Sequence, residues 1–369
     1  MVATDVSCSG LDFVAYEADP LGRFILGRLK LPAVAVAGAC LMAYVLSGGL
    51  AVVFLTITRS ADPETLRDLV DSNGWYGILF GIMMFPVVGG FYAWVSVESG
   101  RLLSQLYRGG ALADPPDVGL AVQLHRSSVW PRLAFAAIVV FLGLWWGSGE
   151  LADSPRYANK VWNLFTLPAA LVAWYLICMI AARQITTMRV LWHLFGQGHL
   201  LLRPLQPDKA GGLSPVSRYT MALGYFIAGA GTGLALLAIQ AIMQHSFDRN
   251  YALHAAIGLY VVLSPSVFFG TLGAAHNAMA ETKDRLLSKI SQYFDREFDR
   301  AVAELDSDVS ALRLQLTRME ELDKLYRLTE RFPVWPFDTG TVRRFFALVS
   351  APLAAVAVAR AVDALASIS

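Results

Sequence analysis

Residues 251–275 read YALHAAIGLYVVLSPSVFFGTLGAA, without one Asp, Glu, Lys or Arg. A run of this length forms a helix long enough to cross a hydrocarbon core of about 30 Å. From His276 to Arg331 the chain becomes densely charged, yet its residues still favour helix and nothing at the join stops one. The sequence then reaches Phe332-Pro333-Val334-Trp335-Pro336-Phe337-Asp338 and turns apolar again from Phe345. This order predicts a membrane helix, a helical arm on the cytoplasmic side, an interfacial elbow and a final membrane helix.

Working outward, the same alternation covers the whole chain. Hydrophobic residues are 56% of 369 and charged residues 16%, against roughly 25% charged in an average soluble domain. Apolar runs occur at Leu31–Ile57, Trp75–Val97, Leu133–Gly147, Val161–Ala182, Tyr219–Met243, Tyr251–Ala275 and Phe345–Ala359. The expected fold is therefore all-α, a polytopic membrane protein of about seven transmembrane helices plus a cytoplasmic helical hairpin. A kink is expected at Pro86 with Gly89-Gly90, a short interfacial helix over Asp117–His125, and an extension of the fourth helix past Arg183. The divisions are a polar, loosely held segment 1–22, the first six spans with their extensions over 23–275, the arm 276–331, the elbow 332–344, and the last span with an external tail, 345–369.

Lysine and arginine set the orientation. Arg23, Arg28 and Lys30, then Arg101, Arg108, Arg126 and Arg132, then Arg183, Arg189, Arg203, Lys209 and Arg218, then the arm, all fall on one side. Arg59, Arg67, Arg156, Lys160 and Arg249 face the other among a comparable number of acids. The expected location is a bacterial inner membrane, with the amino terminus cytoplasmic and the carboxyl terminus outside. Residues 1–20 carry four acids and no base, which does not fit a signal peptide.

Within the arm, Leu286, Ile290, Tyr293 and Phe294 form one apolar stripe, and Val309, Leu312, Leu316, Met319, Leu322 and Tyr326 form a second. Asp306-Ser307-Asp308 supplies helix-capping residues for a turn between them. Helices of about 30 and 22 residues, roughly 45 and 33 Å long, would fold back as a hairpin. Its stripe packs either on its own neighbours or on another copy; Leu312, Leu316 and Met319 are the candidate interface.

Pro333, Trp335, Pro336, Phe337 and Asp338 are candidates for coupling the arm to the last span, since the prolines disfavour helix and the aromatics suit the headgroup level. The same stretch equally serves as a rigid anchor. Pro207-Asp208-Lys209-Ala210-Gly211-Gly212-Leu213 has the glycine pair and lysine of an anion-binding turn but not the spacing of a nucleotide loop. Arg203, Lys209 and Arg218 around it are candidates for anionic lipid. Gly229 and Gly233 sit at small-xxx-small spacing, for close helix packing or for lining a narrow pore.

No catalytic, metal or cofactor constellation is present. His193 and His199 are not spaced as a helical metal pair, and Cys8, Cys40 and Cys178 form no CxxC motif. The net charge of +1 gives no field for nucleic acid. The first six spans carry no acid or base in their cores, which argues against coupled transport.

At Pro207–Leu213 and Phe332–Asp338 the chain resembles a set of bacterial multi-pass membrane proteins that share PDxAGGL and PVWPF segments. The resemblance implies a membrane location and no particular activity. In layout, seven spans with a helical layer ahead of the last is similar to the insect odorant- and gustatory-receptor channels. The expected function is an oligomeric channel or pore gated through the arm, and not an enzyme. The alternative is a non-conducting membrane sensor or scaffold whose arm binds a partner. Expected partners are membrane lipids and a second copy joined through the arm; the sequence names no small ligand.

Overall fold

A computed structural model describes residues 15–58, 74–112, 118–147, 160–196, 212–243, 247–249, 251–303, 309–331, 334–335 and 339–366. Nine helices carry the fold among them: α1 (Ala33–Ile57), α2 (Gly74–Arg108), α3 (Val118–His125), α4 (Val129–Gly147), α5 (Lys160–Gly196), α6 (Ser214–Met243), α7 (Tyr251–Ala303), α8 (Val309–Glu330) and α9 (Thr339–Ala366). Ahead of α1, a short helical turn, Pro20–Gly22, runs into a π-helical turn, Arg23–Arg28.

Six helical stretches among the described residues are long and apolar enough to cross a membrane: Ala33–Ile57, Ile78–Arg108, Leu164–Gly196, Ser214–Met243, Ala256–Ala303 and Val342–Leu365. The stretch at Leu133–Gly147, expected to be a seventh, lies within the 19-residue α4, which is not among these six. Pro86 stands inside α2, which remains one helix. The extension past Arg183 is continuous with the fourth apolar run in α5.

α2, α5 and α6 form the centre. α1 lies along α2 and α5, α3 and α4 lean on α5, and α6 is flanked by α2, α7 and α9. Aromatic side chains hold these contacts. Phe268 of α7 stacks on Phe345 of α9 with ring centroids 3.6 Å apart, and Phe91 of α2 stacks on Phe226 of α6 at 4.2 Å. Tyr92, Tyr219, Phe268 and Phe345 are among the largest fully buried side chains. They fill the space between the central helices, where dispersion contacts and shape replace the hydrophobic drive that lipid does not provide.

The arm is a hairpin of α7 and α8. α7 runs for 53 residues, about 80 Å of helix, and α8 returns along it. Glu297 pairs with Arg318 at 3.7 Å, and the Lys283 ammonium donates to the Glu330 carbonyl at 2.5 Å, which sets the two helices antiparallel. The buried residues differ in part from the expected stripes. Ile290 and Ala301 are buried on α7 and Gln315 and Thr329 on α8, while Tyr293 and Leu316 are exposed. Apolar character alone therefore did not mark the inner face. The turn expected at Asp306–Asp308 lies outside the described residues.

The amino-terminal segment departs furthest from expectation. Segment 1–22 was expected to be loosely held, but from residue 15 onward it is docked. Ala15 and Asp19 are fully buried. Asp19 caps the Pro20–Gly22 turn by accepting from the Leu21 N–H at 3.2 Å, with Pro20 at the first helical position. Lys30, in the left-handed region at φ 52°, stands between that turn and α1.

Candidate functional site

The Asp19 carboxylate is the hub of the site. Its Oδ2 accepts from the Tyr92 hydroxyl of α2, and its Oδ1 accepts from the Tyr175 hydroxyl of α5 at 2.7 Å. Arg183 of α5 brings Nη2 to within 3.6 Å of Oδ2. Asp19 is 0% and Arg183 3% exposed. An acid and a base are thus held together inside an apolar bundle, where a charge on either is expensive alone.

The acid is well satisfied and the base is not. Asp19 accepts from two phenols and a backbone N–H. Arg183 Nε and Nη2 are buried with no hydrogen-bond acceptor. A guanidinium offers five donors, so the pair holds unspent donor capacity on the Arg183 side. A small cavity lies there, lined in part by Asp19, His125, Ser127, Trp130, Arg183 and Thr186.

His125, the last residue of α3, seals that cavity. Its Nδ1–H donates to the Ala121 carbonyl at 2.9 Å, and its Nε2 faces the Thr187 hydroxyl at 3.5 Å. Burial pushes the imidazole down to about 4, helped by the charge of Arg183 and opposed by the bond to Ala121. At neutral pH the ring is uncharged.

Gln184, next to Arg183 on α5, carries further polar contacts. The Tyr219 hydroxyl of α6 donates to Gln184 Oε1 at 3.0 Å, and Gln184 Nε2 donates to Thr271 Oγ1 of α7 at 2.7 Å. The Thr271 hydroxyl in turn donates to the Val267 carbonyl at 2.9 Å. Through Arg183 and Gln184, neighbours on α5, these polar contacts involve the docked amino-terminal segment, α2, α5, α6 and α7.

The root of the arm is the second place where chemistry gathers. His276 Nδ1–H donates to the Val334 carbonyl at 2.9 Å, and its ring stacks on Trp335 with centroids 4.0 Å apart. Thr271 and His276 lie five residues apart on α7, so the elbow touches the helix that also takes part in those polar contacts.

Of the residues singled out in the sequence, Trp335 is brought against His276, whereas Pro333, Pro336, Phe337 and Asp338 lie outside the described residues. Arg203 and Lys209 lie outside them too; Arg218 is exposed near the start of α6. Gly233 is buried against Met84, and a Cβ built there would come within 2.6 Å of its Sδ. At Gly229 the nearest atom to such a Cβ is Val87 Cγ1, at 3.4 Å. Both face α2, which is packing. Met319 is half-buried and Leu316 is 50% exposed on α8; Leu312 belongs to the same helix. Among the described residues no group of three or more His, Cys, Asp or Glu is placed to hold a metal ion.

Sequence reasoning missed Asp19, Tyr92, Tyr175 and Arg183 as a site. Two local signals were present: Asp19-Pro20 is a helix-start pair, and Arg183 is the first charge after the apolar run Val161–Ala182. Neither reveals that the two meet. No protein-family model, no curated protein and no solved structure matches the chain.

Proposed function

We propose that the protein is a non-conducting sensor or scaffold of the bacterial inner membrane, with its amino terminus and arm in the cytoplasm and the arm as the binding element for a cytoplasmic partner. The observation that carries this reading is the continuity of α7: one 53-residue helix is both a candidate span and the first half of the arm. A load placed on the arm enters the bundle without a joint, and it arrives at Thr271 and His276. Large side chains fill the centre of the single chain, which supports coupling over conduction.

The test is photo-crosslinking in living cells from positions 325 and 328. Leu325 and Leu328 are exposed on α8. The expected result is a discrete adduct whose mass is not a multiple of the chain, absent when the probe sits at lipid-facing Val140. Absence of any such adduct, together with ion flux through liposomes containing the purified protein, overturns the reading.

An oligomeric pore formed between copies is a second reading. It is favoured by the exposure of Leu314, Leu316, Leu325 and Leu328 along α8, which leaves apolar surface for another arm. A particle mass of several chains that collapses to one on Leu316→Asp, with loss of flux, selects it.

A further inference from the structure

Between α1, α2 and α5 the bundle leaves a half-open cavity of about 370 Å³. Its floor is buried, formed by Val88 of α2 and Leu176 of α5, while Leu46 and Leu50 of α1 and Val172 of α5 stand half-exposed on its rim. Phe85 and Phe165 add aromatic walls. The one hydroxyl in the lining, on Ser47, is spent on the Tyr44 carbonyl at 2.8 Å. Nothing in the lining offers a free strong hydrogen bond to a headgroup or to water, and apolar cavities of this kind stay dry.

The dimensions narrow the occupant further. Along α1 the lining runs from Cys40 to Leu50, about 15 Å at the helical rise. That is half of a hydrocarbon core of about 30 Å, the depth one leaflet's chains occupy. Apolar along that depth and open on one side, the cavity faces the hydrocarbon chains of a single leaflet. All three walls belong to stretches apolar and long enough to span the bilayer.

We propose that this cavity is a binding site for a single acyl chain of a bilayer phospholipid. The chain lies parallel to α1 and α5 with its headgroup outside the cavity. It fills the gap between α1 and α5 above Val88 and Leu176, one turn from Tyr92 and next to Tyr175 in sequence. The site therefore abuts the buried Asp19 cluster without contributing a polar group to it.

The experiment uses the full-length protein in phosphatidylcholine vesicles in which a fraction of the lipid carries a diazirine on one acyl chain. After illumination, adducts are mapped by peptide mass spectrometry. Labelling is expected to concentrate on the α1 and α5 peptides that line the cavity, several-fold above the peptide of α4 containing Val139 and Val140, which are exposed but lie outside it. Ala169→Trp, placing an indole in the cavity, should lower the α1 labelling several-fold and leave the α4 labelling unchanged. Ala43→Trp from the opposite wall provides the same test should the first variant fail to fold. Equal labelling of α1, α4 and α5 in the parent overturns the proposal, because the lipid is then only annular. Labelling of α1 below that of α4 also overturns it, since protein then covers the mouth. Unchanged labelling in a folded tryptophan variant does the same.

Discussion

Arg183 cannot be understood without Asp19, and the two make different demands. Asp19 accepts from three hydrogen-bond donors, while among the described residues Arg183 has the Asp19 carboxylate 3.6 Å away to offset its charge. Removing the acid should therefore cost more than removing the pair, since an unpartnered buried cation costs about 3–5 kcal/mol. Asp19→Asn is expected to lower the melting temperature in detergent sharply, and Asp19→Asn with Arg183→Met to recover much of the loss. A double variant no better than the single one would mean the ion pair is not what holds the amino-terminal segment. His125 gives a pH test with a defined sign. Its folded value of about 4 lies below the ordinary 6.5, so the fold favours the neutral ring. The stability this represents is complete above pH 6.5 and is lost as pH falls from 6.5 toward 4, by about 3 kcal/mol at most. His125→Gln should flatten stability against pH across that window relative to the parent; an unchanged slope would show that His125 is not a source of the acid sensitivity. These residues were illegible in the sequence for a physical reason. A lone Asp beside a Pro reads as a cap, and its partner at Tyr175 is 156 residues away, a distance that local pattern does not encode.

At the level of elements, helices were legible because a bilayer imposes a length and a polarity on each one, and the continuity of α7 through Ala275 into the arm could be read from the absence of a breaker. Helix faces were less legible. Inside lipid there is no polar-out pattern to mark the packed side, so the contact of α6 with α2 was visible only as glycine spacing. The structure separates the two glycines. A Cβ at Gly233 would meet Met84 Cγ at 2.8 Å as well as its sulfur, while one at Gly229 would make ordinary contact with Val87. Gly229→Ala is expected to be nearly neutral in thermal stability. Gly233→Ala should destabilise by about 1–3 kcal/mol, the usual cost of overpacking. Met84→Ala in the same chain should relieve most of that loss by vacating the space. Equal melting temperatures for the two glycine variants would show that α2 and α6 can separate freely, and the small-residue spacing would then have another role. The arm's inner face was obscured differently: Gln315 and Thr329 are buried while Leu316 is not, so apolar character alone did not mark it.

For the whole molecule, the contacts constrain how the chain runs from one end of the bundle to the other. Arg360, near the end of α9, pairs with Asp248 at 2.6 Å in the short turn between α6 and α7. The arm follows α7, so the end of α9 lies at the end of the bundle away from the arm. Gly109, just after α2, lies against Gly212, just before α6, at the arm's end of the bundle. Phe165 near the start of α5 meets Phe54 near the end of α1, with centroids 5.5 Å apart, at the opposite end. The chain therefore returns across the bundle between α2 and α5, and among the described residues α4 is the longer helix between them. Seven crossings with termini on opposite sides is the proposal, and α4, shorter than the six candidate spans, is the helix that decides it. Reporter fusions check the whole arrangement at once. A fusion after Ser246 and one at the carboxyl terminus should report the same compartment, outside, because the Arg360–Asp248 pair joins those two ends. Fusions after Gly212 and Ser307 should report the cytoplasm, and one after Gly149 should agree with Ser246 if α4 crosses. A carboxyl-terminal reporter that agrees with Ser307 would mean α9 does not traverse the bilayer. A Gly149 reporter that agrees with Gly212 would leave α4 on the cytoplasmic face, and the orientation of every helix after it would have to be redrawn.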